Sequence, residues 1–214
     1  MFSPATCLPD NCFCEVIRPE GLMQPINAYS SLFLLVMALV ILWNARGRGW
    51  FGYAYAGALA FVGLGSFWYH ADLTLLTQAF DNLGMYFVIL LPITLLASRR
   101  YNFSGLRIAS LFIFLSSVSL AIILIYPEAR RYEFIFLILI LLFLEYLWSG
   151  ALGIKNRAYL YFGLGIFVVS GIIWVLDITG VWCMSLSIWQ GHAVWHILNG
   201  LSSYMLYLYY RKIN

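Results

Sequence analysis

The sequence predicts an all-α membrane protein: a bundle of seven transmembrane helices, N-terminus outside and C-terminus in the cytoplasm. Three observations predict it. Of 214 residues, 63% are hydrophobic and 10% charged, with a mean hydropathy of +0.87, whereas soluble domains are about 45–50% apolar and about 25% charged. The apolar residues gather into seven segments, each close to the roughly 20 residues a helix needs to cross the hydrocarbon. Lysine and arginine then divide nine to three between the two sets of connections, which fixes the orientation by the positive-inside rule.

The segments run as follows. The first is about Ile26–Trp43, with Pro25 suited to the first helical position. The second is about Phe51–Tyr69, the third about Phe80–Ala97 and the fourth about Leu106–Tyr126. The fifth is about Phe134–Gly150, the sixth about Ala158–Leu176 and the seventh about Trp189–Tyr210. Residues 1–24 form an extracytoplasmic tail ahead of them, and 1–214 is read as a single domain. The tail has no basic start and no apolar core, and it carries Pro4, Pro9, Asp10, Glu15, Pro19 and Glu20, so no cleavable signal peptide is expected. The net charge of +3 is scattered between spans, which excludes a nucleic-acid-binding surface.

The three outer basic residues are Arg18, Arg130 and Arg131. The inner nine are Arg46, Arg48, Arg99, Arg100, Arg107, Lys155, Arg157, Arg211 and Lys212. Cys7, Cys12 and Cys14 lie in the outer tail, and Cys183 lies in the outer loop between the sixth and seventh segments. An oxidising compartment favours disulfides there. Four cysteines allow three pairings, and the residues alone do not choose among them. Cys12-x-Cys14 without a second pair is a poor zinc spacing.

The second segment carries Gly52, Ala56 and Ala60 at four-residue spacing, with Gly57, Gly63 and Gly65. Small residues let membrane helices approach closely, so this helix is expected at the centre of the bundle. Tryptophans and tyrosines at the span ends, such as Trp43, Trp50, Trp189 and Tyr210, read as an interfacial belt.

Chemistry concentrates at one depth. His192 and His196 are four apart, hence one above the other on a helix face. His70, the remaining histidine, closes the second segment, with Ser66 four residues before it. Asp81 opens the third. All five fall in the outer part of the membrane by the topology above. Ionisable residues inside a membrane usually mark function, and three imidazoles with a free fourth position suit a catalytic zinc. Taken singly, Ser66 reads as a back-bonded helix serine and Asp81 as a helix cap. Asp177 has three readings: a cap, a partner for Arg18, or a support for the site. Glu145 sits deep in the fifth segment with no partner apparent in the sequence.

Three stretches carry a resemblance. The first is Gly65-Ser66-Phe67-Trp68-Tyr69-His70, followed by Asp81 eleven residues after the histidine. The second is His192 to Tyr204, which reads His-x-x-Trp-His-x-Leu-x-Gly-x-x-Ser-Tyr. The third is Cys14-Glu15 followed by Asn27-Ala28-Tyr29-Ser30. In these the chain resembles the alkaline ceramidase family, part of the CREST group of seven-helix membrane hydrolases that includes the adiponectin receptors. The resemblance implies a zinc-dependent amidase acting on a ceramide-like lipid, with His70, His192 and His196 as ligands and Ser66 and Asp81 supporting the reaction. It also implies a disulfide between Cys14 and Cys183, with Cys7 and Cys12 left as a second pair. The family's outer calcium site would use Glu15 and Asn27. Pro25 replaces an acidic residue and Ser31 an asparagine of that site, so calcium is doubtful.

The expected chemistry is hydrolysis of a lipid amide from the bilayer to a fatty acid and a long-chain amine. Asp81 would carry the proton and Ser66 would donate to the oxyanion or orient the water. The alternatives are a receptor or sensor with a structural zinc, and a transporter. A transporter would use Glu145 and Asp177 beside the histidines, but no inverted repeat is evident.

Overall fold

The computed structural model describes residues 3–8, 12–152 and 157–213, so Asp10 and Lys155 lie outside the described residues. The chain forms α1 (Pro25–Asn44), α2 (Trp50–Asp72), α3 (Leu75–Tyr101), α4 (Gly105–Ile125), α5 (Arg130–Trp148), α6 (Ala158–Ile178) and α7 (Gly191–Tyr210). A 3₁₀ turn, Pro127–Ala129, precedes α5, and an isolated bridge joins Pro4 to Thr74. By length and composition α1, α3, α4 and α6 could each cross a membrane, compatible with a multi-pass membrane protein. The remaining three carry the histidines, carboxyl groups and arginines that lower their hydropathy.

Local chemistry sets the helix starts. Thr74 caps α3: its hydroxyl accepts the N–H of Thr77, whose own side chain accepts the N–H of Thr74. This reciprocal box satisfies two donors that a helix start leaves orphaned. The helix therefore begins at Leu75, five residues before the expected Phe80, and Asp81 lies well inside it. Asp81 is not the cap that it could have been taken for. Leu73 turns the chain at φ 47, so α2 and α3 are joined by a tight corner. Its Asp72 carboxylate accepts from the hydroxyls of Thr74 and Thr77. Similarly, α5 starts at Arg130, not at Phe134, which puts Arg130 and Arg131 in the first helical turn.

The bundle is an open arc. The helix α1 packs on α2 and α7, α2 on α3, α6 on α7, and α3 supports both α4 and α5. The glycines of α2 make this possible. A Cβ on Gly63 would stand 2.9 Å from the Leu35 backbone of α1, and one on Gly65 would stand 3.3 Å from the Phe80 backbone of α3. These glycines, two apart, face α1 and α3 respectively, so α2 is gripped from two sides. Gly57, on the same helix, has no neighbour within 4 Å and takes no part in that packing. The helices α5 and α6 pack on α3 and α7, and barely touch each other.

Between them lies a cavity of about 630 Å³, walled mainly by apolar side chains of α3, α5, α6 and α7. Ile135, Val168, Ile172 and Val175 line it and are each more than 40% exposed. All four are on α5 or α6. The cavity is therefore open sideways through the gap between these helices.

Candidate metal centre and cavity

His70, His192 and His196 converge at one end of the cavity. Their exposures are 0%, 5% and 3%, and one ligand nitrogen from each lies within 4.8 Å of the others. Nε2 of His70 and Nε2 of His192 stand 3.1 Å apart. Two nitrogens at bonding distance from one tetrahedral zinc stand about 3.3 Å apart, so the spacing is compatible with a shared ion.

Hydrogen bonds on the far side of the rings set the tautomers. His70 Nδ1 is 2.9 Å from Oε1 of Gln24, with the Gln24 amide turned so that its Nε2 donates to the Glu15 carbonyl at 3.1 Å. A carbonyl oxygen only accepts, so His70 carries its proton on Nδ1 and offers a lone pair at Nε2. The hydroxyl of Ser30 gives its one proton to the Asn27 carbonyl at 3.0 Å. It can therefore only accept from His196 Nδ1, 2.9 Å away. His196 likewise turns a lone pair inward. Nδ1 of His192 has no hydrogen-bond partner, and the Phe13 ring stacks over this imidazole at 3.7 Å between centroids. The inward nitrogens thus meet in a buried space, Nε2 of His70 against Nε2 of His192 and Nε2 of His196 against the Ser66 hydroxyl. Neutral nitrogen donors converging in this way suit zinc. The residues present fit a zinc ion.

The backbone around the site is pinned. Asp177, 1% exposed, accepts the N–H of His192 at 3.1 Å and the N–H of Cys14 at 3.1 Å. It caps α7 from α6, which decides among its three readings. A Cβ on Gly191 would lie 2.8 Å from the Asp177 side chain, so glycine permits the approach. Disulfides join Cys14 to Cys183 and Cys7 to Cys12. The first ties the tail to the α6–α7 connection, and the tail then crosses the site. Gln24 N–H donates to the His70 carbonyl at 2.9 Å, and Ala5 N–H to that of Leu73 at 2.9 Å.

A family model described as Ceramidase matches residues 22–214. The chain belongs to the ceramidase family. No curated protein matches it. Membership implies an amide hydrolase, and the remaining site residues can be read in that light. Ser66, 2% exposed, has its hydroxyl 3.3 Å from His196 Nε2 and also faces the Asp81 side chain. Both line the cavity beside His192 and His196. The two ceramidase motifs, on α2 and α7, are thus brought to a single point.

Glu15 and Asn27, the two residues expected at an outer calcium site, meet where the tail joins α1. Both carboxylate oxygens of Glu15 are taken by the N–H groups of Ile26 and Asn27, each at 2.8 Å. Glu15 caps α1 from the tail, and burial pushes its carboxyl above the usual range although these donors and Arg18 oppose that. The side-chain amide of Asn27 is buried without a partner. Asp177, whose charge reaches Glu15, is itself taken up by backbone donors.

The structure adds residues the sequence did not single out as parts of the site: Gln24, Ser30 and Phe13. Ser30 lay in the third stretch of resemblance. Gln24 and Phe13 carry no local signal, because they act only after the tail folds over α2. Glu145 is 4% exposed and is bonded by the hydroxyls of Tyr209 and Tyr210, which supplies its missing partners.

Proposed function

We propose that the chain is an intramembrane zinc-dependent amidase that hydrolyses a ceramide-like lipid to a fatty acid and a long-chain amine. One observation carries this reading: three imidazole rings converge at the end of an apolar, laterally open cavity, with Asp81 and Ser66 on the same wall. Lipid would reach the site from the bilayer through the α5–α6 gap. Its chain would lie against Phe134, Ile138 and Leu164, and its amide beside Ser66. All seven helices span the membrane in this reading, and the site faces the extracytoplasmic side, as the basic residues indicate.

His70, His192 and His196 would hold the ion, which when bound would supply Lewis acidity and make water more acidic. Gln24 and Ser30 fix the His70 and His196 rings so that these two present a lone pair without a search among tautomers. Asp81 takes the proton of the attacking water and returns it to the departing amine nitrogen. Ser66 donates to the oxygen that gains charge as the amide carbonyl is attacked. The apolar wall and the Phe13 roof exclude bulk water, which strengthens each of these interactions.

A panel of lipid amides incubated with purified protein, read by mass spectrometry for fatty acid, tests the proposal. Release of fatty acid that stops on chelation and returns with zinc is expected. A protein that holds zinc but releases nothing from any lipid amide would instead favour a receptor with a structural metal.

A further inference from the structure

Two arginines stand where general rules oppose them. Arg130 and Arg131 occupy the first turn of α5, the end at which the helix dipole disfavours cations. They also sit on the side of the bundle that is otherwise poor in basic residues, against the positive-inside tendency. Neither helix stability nor topology explains them.

Both line the same cavity as Asp81, His192 and His196. Arg130 is 7% exposed, and its Nη1 donates to the Pro127 carbonyl at 2.9 Å. Its one ion pair, with Glu128 at 3.4 Å, uses a carboxylate whose side chain is 76% exposed. Arg131 makes no ion pair among the described residues. Its guanidinium lies over the Trp174 ring at 5.2 Å, and Trp174 packs on Trp195 at 5.8 Å, beside His196 in sequence. Arg131 thus reaches from α5 to a ring of α6 at the rim of the cavity, a cation–π contact, and its guanidinium N–H groups have no hydrogen-bond partner among the described residues. An unpaired guanidinium edge at the rim of an otherwise apolar lipid pocket has one obvious use, since its planar fork matches carboxylate and phosphate oxygens.

Resting on the amidase reading above, we propose that Arg131, with Arg130 behind it, selects lipid amides whose amine portion carries an anionic group, a carboxylate or a phosphate, over neutral ones. The anion would sit at the outer corner of the α5–α6 opening. The amide would then reach Ser66 and Asp81, and the acyl chain would run down the cavity.

Matched lipid pairs test this: ceramide against ceramide 1-phosphate, and N-palmitoylserine against its methyl ester. Wild-type protein should favour the anionic member of at least one pair by tenfold or more in kcat/KM. Arg131→Gln should reduce that ratio at least tenfold, and Arg131→Lys should restore part of it. Zinc content of each preparation reports whether the site is intact. If no lipid is hydrolysed, the amidase reading fails, and binding of the same pairs to Asp81→Asn protein in nanodiscs still decides the headgroup question. Equal kcat/KM or equal binding within both pairs would overturn the inference. So would a ratio that Arg131→Gln leaves in place, or an effect of Arg131→Gln confined to inhibition by free palmitate.

Discussion

Two buried polar clusters lie toward opposite ends of the bundle, and they differ in how their bonds are used. Around Glu145 each group answers another: the tyrosine hydroxyls of α7 donate to the carboxyl group of α5. Around the histidines the outward nitrogens of His70 and His196 are satisfied by Gln24 and Ser30, while one nitrogen from each of the three rings converges on a single point. The first cluster is closed and ties two helices together. The second is held from outside at His70 and His196, and three ring nitrogens from two helices converge at its centre. Neutral imidazoles brought within reach of one ion mark a candidate metal site. A closed cluster marks structure.

That contrast can be broken or sharpened by substitution. The largest effect belongs to the histidine cluster itself. His70→Ala, His192→Ala and His196→Ala should each lose both bound zinc and lipid-amide turnover, read by elemental analysis and fatty-acid release. Next is Asp81→Asn, which should keep zinc near wild-type occupancy while turnover falls by roughly two to four orders of magnitude, the range for loss of a general acid–base group. A loss of zinc there would make Asp81 a ligand. Gln24→Ala should weaken zinc about 10–100-fold in a chelator competition, the usual effect of removing a group that orients a ligand. Gln24→Glu should recover most of that affinity, because a carboxylate also accepts from Nδ1. The smallest effect on the metal belongs to the closed cluster. Glu145→Gln should leave zinc affinity alone and lower stability by about 1–3 kcal/mol, the cost of disturbing a buried hydrogen-bonded group, visible as a lower Tm. If Glu145→Gln instead abolished function while the protein stayed folded, the transporter reading would revive.

Much of this was legible from residue order. Periodic apolar runs give all seven helices, and His-x-x-x-His on α7 must present two imidazoles on one face wherever the helix packs. The spacing from His70 to Asp81 signals the site because a tight corner at Leu73 and Thr74 returns the chain immediately. The helix starts were harder to read. The Thr74 cap lies outside the apolar run, so hydropathy placed the start of α3 too late, and the same happened with α5. Least legible were contacts made by the folded tail. Gln24 reaches His70, 46 residues away, and Asp177 reaches Cys14 across 163. No local pattern encodes such partners, since they depend on how the tail is drawn across the bundle.

The most direct measurement is the zinc content of detergent-purified protein, taken beside lipid-amide turnover before and after chelation. One zinc per chain is expected, with turnover lost on its removal and recovered on its return. A stoichiometry near zero, with hydrolysis unaffected by chelator, would contradict a metal centre at His70, His192 and His196.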